Sequence, residues 1–308
     1  MQKGTVIKST GSWYTVETDA DELIQCRFRG KFRNTKIRST NPVAVGDKVI
    51  VDGVDGEFVI QEISERRNYI VRKSVNLSKT SHIIASNLDQ AILVVTLKNP
   101  VTFPAFIDRF CVAAEAFHIP VVLVFNKMDI LDKDEREVCE SFMDVYRDIN
   151  YTTVACSATT GEGLTEFKRI LMGKVSLLSG HSGVGKSSLI NEIDPLLNIR
   201  IGEISSAHHT GQHTTTFAEM HKLNDGGYIV DTPGIRGFGL VDHERDELAG
   251  YFPEMRDLLP ECKYYNCLHI NEPGCAVKQG IETGKVAETR YKSYLNMFEN
   301  DEKELYRS

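Results

Sequence analysis

The chain has 308 residues, of which 41% are hydrophobic and 26% are charged, and its formal net charge is −7. This composition is close to that of average globular proteins, so collagenous, disordered and disulfide-scaffold proteins are excluded. Because the net charge is negative, contact with nucleic acid requires a local basic patch rather than a basic chain. The length predicts two or three domains.

Targeting and membrane signals are not found in the sequence. The first residues lack the apolar centre of a secretory signal, and the longest apolar stretch, residues 119–125, is too short to cross a membrane. We therefore expect a cytoplasmic protein. The seven cysteines are an odd number and are mostly scattered, so a disulfide framework is not expected. Nothing resembles a coiled-coil heptad, so a monomer is expected.

Residues 1–73 carry short alternating segments separated by turn signals, which predict about five strands. The strands are expected at residues 5–7, 13–17, 24–28, 48–51 and 57–60. So many short strands in so few residues predict a small β-barrel of the OB type.

A basic segment lies within this predicted barrel. Its six cations fall among twelve residues without one acid: Arg27, Arg29, Lys31, Arg33, Lys36 and Arg38. Phe28 and Phe32 are interleaved with them, which favours contact with an RNA or DNA backbone and stacking on bases. A solvated strand and loop face is the alternative interpretation.

The pattern changes near residue 86, and residues 74–240 predict a parallel α/β domain. Residues 91–95 and 121–125 are unbroken apolar runs, typical of strands buried on both faces, and residues 105–117 between them predict a helix. Further units follow in alternation. They are a helix at 134–147, a strand at 152–156, a helix at 164–171, a strand at 174–179, a helix at 188–192 and a strand at 228–230.

A phosphate-binding loop follows the strand at 174–179. Its residues match the pattern G-x-x-x-x-G-K-S: Gly180, His181, Ser182, Gly183, Val184, Gly185, Lys186 and Ser187. Backbone N–H groups of such a loop surround phosphate oxygens, Lys186 would bridge the β- and γ-phosphates, and Ser187 would ligate Mg²⁺. Ser188 would reach the α-phosphate. A chance glycine-rich turn is the alternative, which the strand and helix context disfavours.

Two further motifs predict that the base is guanine. Asn126, Lys127 and Asp129 follow the strand at 121–125, where open α/β sheets bind ligands. The Asp129 carboxylate can accept two hydrogen bonds from guanine N1 and N2, Asn126 would support the loop, and the Lys127 stem would cover the ring. After the next strand, Ser157 and Ala158 would complete the pocket, with the Ala158 N–H donating to guanine O6.

The remaining parts of a GTPase lie after the phosphate loop. Asp231, at the end of a strand, would hold Mg²⁺ through water, and the Gly234 N–H would sense the γ-phosphate. The polar run at 208–216 is expected to close over Mg²⁺ through one threonine. Thr215 is favoured, although the sequence does not exclude its neighbours.

The order of these motifs and one substitution set this chain apart from most GTPases. The guanine motifs precede the phosphate loop, so the domain is circularly permuted, and the segment after Gly234 runs into the carboxyl-terminal region. Ile235 stands where many GTPases have a glutamine that orients the attacking water. His213 is the candidate for that role, and a mobile surface histidine is the alternative.

The carboxyl-terminal region, residues 241–308, is predicted to be a helical module around a metal. Cys262, Cys267, His269 and Cys275 provide three thiolates and an imidazole, which suits one tetrahedral structural Zn²⁺. Four protein donors leave no open position for catalysis, so the ion would stabilise the fold. Reduced buried cysteines beside an unrelated histidine are the alternative. Residues 282–306 predict a helical region.

Together these features resemble the ribosome small-subunit-dependent GTPase A family (RsgA, also called YjeQ or YloQ) over essentially the whole chain. The phosphate loop, the G-Q-H-T-T-T run at 211–216, the D-T-P-G-I-R run at 231–236 and the Cys-Cys-His-Cys spacing carry the resemblance.

The resemblance implies a GTP hydrolase that binds the small (30S) ribosomal subunit and its 16S rRNA late in assembly and leaves after subunit-stimulated hydrolysis. It also implies that His213 acts in catalysis, and Lys186 and Thr215 are the residues expected to act with it. Gly183 stands where K⁺-activated GTPases commonly have asparagine, so a K⁺ role is not supported. A constitutive RNA adaptor that binds GTP only for stability is the alternative. A GTP-dependent tRNA-modifying enzyme is disfavoured, because the sequence has no recognisable second active site.

Overall fold

The amino-terminal strands form a closed five-stranded barrel in a computed structural model that describes residues 1–28, 42–54, 57–73, 81–197, 218–231 and 245–299. The strands are β1 (Gln2–Ser9), β2 (Trp13–Thr18), β3 (Leu23–Phe28), β4 (Lys48–Val54) and β5 (Glu57–Ile63). They pair in the closed order β1-β2-β3-β5-β4-β1, with β3 and β5 parallel. Alternate residues such as Val6, Val16 and Ile60 point inward and are fully buried. The predicted OB-type barrel is confirmed.

A hairpin follows the barrel. Its strands β6 (Tyr69–Lys73) and β7 (Ser81–Ser86) pair antiparallel, and the sequence analysis predicted neither strand. The hairpin spans the predicted boundary between residues 73 and 74, and the buried Asp47 joins it to the barrel. Asp47 accepts two hydrogen bonds from Arg66 and one from Ser86, each at 2.6 Å. The limits 1–73, 74–240 and 241–308 stay predictions.

The second domain is a parallel sheet with helices on both faces. Its strands are β8 (Gln90–Val95), β9 (Val121–Phe125), β10 (Thr152–Ala155), β11 (Val175–Ser179), β12 (Glu219–Lys222) and β13 (Tyr228–Asp231). The order is β10-β9-β8-β11-β13-β12, in which β12 alone is antiparallel. Every residue of β8 and β9 is buried, as the apolar runs predict. The helices of this domain are α1 (Pro104–Ala116), α2 (Lys133–Arg147), α3 (Leu164–Leu171) and α4 (Lys186–Ile193).

The barrel and the parallel sheet are joined through the edge strand β12, which the sequence analysis missed. Lys8 of β1 pairs with Glu219 of β12, and their side chains form a salt bridge of 2.9 Å. Lys222, also on β12, contacts Glu17 at 2.9 Å and Asp21 at 2.6 Å. The barrel therefore extends the sheet of the second domain at the edge opposite β10.

The carboxyl-terminal module is helical, as predicted, but the first two of its three described α-helices are short. The three are α5 (Pro253–Arg256), α6 (Ala276–Glu282) and α7 (Glu288–Glu299). The predicted helical region over 282–306 is therefore too long at its start, since Gly284 adopts φ +76° and separates α6 from α7. Residues 300–308 lie outside the described residues. In the part of the chain that the structure describes, no helix is both long and apolar enough to span a bilayer.

Candidate functional site

The predicted nucleotide motifs follow four strands that run in the same direction. β9, β10, β11 and β13 are parallel members of one sheet, so their carboxyl ends lie at the same edge. The residues that follow them are Asn126, Cys156 and Gly180, while Asp231 ends β13. The topology therefore brings the base motifs and the phosphate loop to one edge, the usual ligand site of open α/β sheets.

Glycines give the phosphate loop a shape that other residues would prevent. Gly180, Gly183 and Gly185 adopt φ of +145°, +83° and +93°. A Cβ at Gly180 would lie 2.5 Å from the Val94 carbonyl oxygen, and a Cβ at Gly185 would lie 2.4 Å from Asn126 Nδ2. The turn leads directly into α4, whose first N–H groups have no partner within the helix and suit an anion.

Lys186 and Ser187 are the first two residues of α4 and both are largely buried. Lys186 Nζ donates to the carbonyl oxygens of Gly180 and His181, at 2.7 and 2.8 Å. These two contacts hold the ammonium over the curve of the loop. A cation there fits a phosphate, because its charge and the inward N–H groups act on the same anion.

Asn126 connects the base motif to the phosphate loop. Its Nδ2 donates to the Val184 carbonyl oxygen at 2.7 Å, and its own N–H donates to the Val95 carbonyl oxygen at 2.9 Å. The side chain is 4% exposed, and Oδ1 is buried without a hydrogen-bond partner in the described part of the chain. A buried unpaired acceptor is rare in folded proteins, and this one lies at the predicted base site.

Asp129 is held in place by Ser157 from the neighbouring loop. Ser157 Oγ donates to Asp129 Oδ1 at 2.6 Å and accepts from the Thr160 N–H at 3.1 Å. The two guanine motifs thus contact each other, as their positions on adjacent strands predict. Ala158 follows Ser157 and is half-buried against the apolar core behind the phosphate loop.

Three neighbouring residues of this site were missed by the sequence analysis. The loop between β8 and α1 carries Asn99, whose carbonyl accepts a hydrogen bond from Lys127 Nζ, and Pro100, which lies beside Gly183. From α1, Phe106 stacks on His181 with ring centroids 3.8 Å apart. The loop could have been found, because it also follows a parallel strand at the ligand edge.

Several predicted residues lie outside the described part of the chain. They are His213, Thr215, Gly234 and Ile235, together with Arg29, Lys31, Phe32, Arg33, Lys36 and Arg38 of the basic segment. The backbone of Asp231 is described and pairs with Leu178, two residues before Gly180. Of the remaining residues of the basic segment, Arg27 lies over the Trp13 ring at 4.2 Å, and Phe28 packs against the barrel core.

The four predicted zinc ligands lie together in the carboxyl-terminal module. One ligand atom from each of Cys262, Cys267, His269 and Cys275 lies within 4.8 Å of the other three. His269 Nδ1 is 3.7 Å from Cys262 Sγ and 3.4 Å from Cys275 Sγ. Around tetrahedral zinc, ordinary bond lengths place nitrogen and sulfur about 3.6 Å apart. The donor set and its spacing therefore fit Zn²⁺.

Surrounding groups fix the backbone that carries these ligands. Tyr291 donates to the His269 carbonyl oxygen at 2.6 Å, and Tyr294 donates to the Leu268 carbonyl oxygen at 2.7 Å, both from α7. Glu272 accepts from the backbone N–H groups of Leu268, Ile270 and Asn271, on both sides of His269. Such outer contacts orient metal ligands before the ion binds.

Burial sets the protonation of two of these ligands. It lowers the pKa of His269, which favours the neutral ring that binds metals, and it raises the pKa of the Cys267 thiol to about 12. An uncompensated thiolate is thus costly here. A divalent cation would remove that cost by supplying the missing positive charge.

Comparison with known proteins gives consistent matches over the whole chain. The family model described as RsgA GTPase matches residues 63–241, and the RsgA N-terminal domain model matches residues 3–57. "Small ribosomal subunit biogenesis GTPase RsgA 2" of Bacteroides thetaiotaomicron is 52% identical over 307 residues, 99% of each chain. "Small ribosomal subunit biogenesis GTPase RsgA" of Christiangramia forsetii is 51% identical, covering 97% of this chain and 96% of its own.

Two solved structures are similar in fold as well as in sequence. YjeQ from Thermotoga maritima aligns with a TM-score of 0.79 and 38% identity, covering 96% of this chain and 97% of its own. YloQ, described as a circularly permuted GTPase, aligns with a TM-score of 0.75 and 33% identity, covering 97% and 94%. The strand order found here fits such a permutation, because the strand before the phosphate loop is central in the sheet but late in the chain.

Proposed function

This chain belongs to the RsgA family of GTPases, and from that premise we propose that it hydrolyses GTP to GDP and phosphate during biogenesis of the small ribosomal subunit. The observation that carries the proposal is the hydrogen bond from Asn126 to Val184, which joins a guanine motif to a phosphate loop. A site built for guanine and phosphates together fits GTP, and the relatives' names supply the biological setting.

Guanine selection is assigned to Asp129 and its neighbours. The carboxylate is restrained by Ser157 and can accept from both N1 and N2 of guanine, whereas adenine offers no such pair of donors. Lys127 would lie along the base plane while its Nζ contacts the Asn99 carbonyl. The Ala158 N–H would donate to O6. The contacts of Asp129 and Ala158 favour guanine over adenine, so the pocket would select GTP among nucleotides.

The phosphates are assigned to the loop from Gly180 to Ser188. Its N–H groups and Lys186 would hold the β- and γ-phosphates, while Ser188 would reach the α-phosphate. Ser187, Thr215 and Asp231 would hold Mg²⁺, which when bound neutralises charge on the β- and γ-phosphate oxygens. Gly234 would sense the γ-phosphate, so hydrolysis would release the segment that follows it.

Water activation is assigned to His213. Ile235 replaces the glutamine that other GTPases use, and an alkyl group cannot orient water. Intrinsic hydrolysis is therefore expected to be slow, and stimulation is expected from the small (30S) subunit.

We place the protein in the cytoplasm as a monomer. Residues 1–73 and 241–308 would flank the GTPase domain, and the barrel would bind 16S rRNA.

The carboxyl-terminal cluster is assigned to one structural zinc ion. Cys262, Cys267, His269 and Cys275 would fill a tetrahedral coordination sphere, so no position would be left for a reacting water. The ion would stabilise the module rather than take part in hydrolysis. The two metals would therefore differ in role, because only the Mg²⁺ site at the phosphate loop would be in contact with the nucleotide.

The test is GTP hydrolysis by the purified protein alone, with small subunits, and with large subunits as the control. Wild type is compared with His213→Ala and Lys186→Ala. Stimulation by small subunits that is lost in His213→Ala supports the proposal. Hydrolysis that small subunits leave unchanged would overturn the ribosomal role, and RNA affinity that is indifferent to nucleotide and to Lys186→Ala would favour a constitutive adaptor.

A further inference from the structure

Helix α1 contacts two parts of the molecule that the proposed function treats separately. Near its first turn it meets the phosphate loop, and along the rest of its length it packs on α7 of the carboxyl-terminal module. Because a helix is a rigid element, contacts that it makes with both parts can couple them energetically.

The contact with the phosphate loop is made by two rings. Phe106 of α1 and His181 of the loop have centroids 3.8 Å apart and planes inclined by 30°. His181 directly follows Gly180, whose carbonyl, like that of His181, accepts a hydrogen bond from Lys186. Since three glycines leave this loop conformationally free, a side chain packed on its one aromatic residue restricts its backbone.

The contact with the carboxyl-terminal module is a buried ionic cluster. Arg290 of α7 is 1% exposed and donates to Asp108 of α1 at 2.7 Å and to both oxygens of Glu254 at 2.8 and 3.1 Å. Tyr146 of α2 also donates to Asp108, at 2.9 Å. Buried charges tolerate little displacement, since a lost partner leaves an uncompensated charge. Asp108 is two residues from Phe106, so the two contacts share one stretch of helix.

Apolar packing and a surface pair reinforce this attachment. Val112 of α1 belongs to the apolar core of the carboxyl-terminal module, together with Phe252 and Tyr294. Glu115, near the end of α1, pairs with Arg256 of α5 at 3.1 Å. The face of α1 away from the sheet is thus covered by the module, and α1 cannot shift unless the module shifts with it.

We propose that α1 couples the carboxyl-terminal module to the phosphate loop, with Phe106 as a positioning residue for nucleotide binding and the Asp108–Arg290–Glu254 cluster as its anchor. The inference rests on the proposed function and adds a route for its regulation. A partner that displaces the module would change nucleotide affinity through α1, and bound nucleotide would change the affinity for that partner by the same factor.

The first experiment measures the affinity for fluorescent GDP without ribosomes. Phe106→Ala is expected to weaken binding about 2- to 10-fold, the range expected for one aromatic pair. Phe103→Ala is the matched control, because Phe103 is a neighbouring phenylalanine that is 67% exposed. If both variants bind GDP as wild type does, Phe106 has no positioning role and the proposal fails.

The second experiment perturbs the anchor and Tyr146, which donates to Asp108 of the anchor. Glu254→Gln and Tyr146→Phe each keep the shape of the cluster while removing a charge or one hydrogen bond, and thermal unfolding and metal content identify the folded variants. The proposal expects weaker GDP binding, and an effect that is not additive with Phe106→Ala. Anchor variants that fold and bind GDP as wild type does would overturn the coupling.

Amide hydrogen exchange separates this inference from the proposed function. The anchor variants should raise exchange in the loop at residues 180–187 even without nucleotide. If wild type binds no guanine nucleotide, the proposed function fails, and the exchange of this loop still decides the coupling. Unchanged exchange in the loop of folded anchor variants would then overturn it.

Discussion

The side-chain amide of Asn126 donates a 2.7 Å hydrogen bond to the carbonyl of Val184, 58 residues further along the chain. The bond joins the loop after β9 to the loop after β11, which are separated in the sheet by β8. The base motif and the phosphate loop are therefore held as one unit despite the permuted order. A change in either loop is expected to affect the whole nucleotide rather than one part of it.

Replacing Asn126 tests this link directly. In Asn126→Asp a buried acceptor faces the Val184 carbonyl, so repulsion replaces a hydrogen bond. The free energy of nucleotide binding is expected to weaken by about 1–3 kcal/mol. Both GTP and GDP affinity should fall, measured by calorimetric titration. Asn126→Ala removes the bond without repulsion, so its affinity for GTP and GDP should fall by less. Equal affinities of wild type and Asn126→Asp would contradict the role of this bond.

Changing Asp129 is expected to change the preferred base. Asp129→Asn replaces one acceptor with a donor, which suits the second carbonyl of xanthine and repels the guanine amino group. We expect xanthosine diphosphate to bind more tightly than GDP in this variant, in competition experiments. Asp132→Asn is the control, because Asp132 caps α2 nearby and asparagine also caps helices well. If Asp129→Asn still prefers GDP, another residue selects the base.

The strongest sequence patterns correctly predicted the fold and the place of the glycine-rich loop between β11 and α4. The buried runs of β8 and β9 and the glycines around Gly183 have local signals, because a buried parallel strand or a phosphate loop restricts residue types on its own. β12 has the sequence Glu-Met-His-Lys and only one buried residue, Met220, so its pattern does not distinguish it from a loop.

Contacts between residues far apart in the chain could not be predicted from the sequence in the same way. Arg290 meets Asp108 across 182 positions, and an arginine in a charged helix ordinarily predicts a solvated face. Likewise nothing near His181 predicts that Phe106 covers it. These relationships depend on how helices pack after folding, so the connection between the phosphate loop and the carboxyl-terminal module became visible only in three dimensions.

The pair of Arg136 and Glu162 predicts a pH-dependent contribution to stability. Both Glu162 oxygens accept from Arg136 at 2.9 Å, and this hydrogen-bonded guanidinium lowers the pKa of Glu162. Because the pKa of Glu162 is lower in the folded state, the pair stabilises the fold at pH values above the unfolded-state pKa of about 4.3. This stabilisation is lost as the pH falls through the lower pKa that Glu162 has in the folded state.

Glu162→Gln should therefore lower the denaturation midpoint at pH 7 and lower it by less at about pH 3. The measurement is urea unfolding across this range. Glu137→Gln is the control, because Glu137 faces Lys133 only at 3.9 Å on an exposed helix surface and should change neither midpoint. A deficit of Glu162→Gln that is as large at pH 3 as at pH 7 would show that the ion pair is not its cause.

Removing the metal tests the carboxyl-terminal cluster. One zinc ion per chain is expected by elemental analysis, and Cys267→Ser should lose it, since serine oxygen is a poor replacement for thiolate. Cys156→Ser is the control, because Cys156 is buried in the core of the α/β domain, away from the cluster. Zinc retained by Cys267→Ser at the wild-type stoichiometry would remove this residue from the ligand set.

Zinc binding to the metal-free protein should also release protons at neutral pH. The thiol of Cys267 has its pKa raised to about 12 by burial and is protonated near pH 7, whereas the metal-bound form is a thiolate. The heat of zinc binding should therefore depend on the ionisation enthalpy of the buffer, and zinc affinity should fall as the pH is lowered. If the heat were the same in every buffer, the thiol would already be ionised before zinc binds, and burial would not control its protonation.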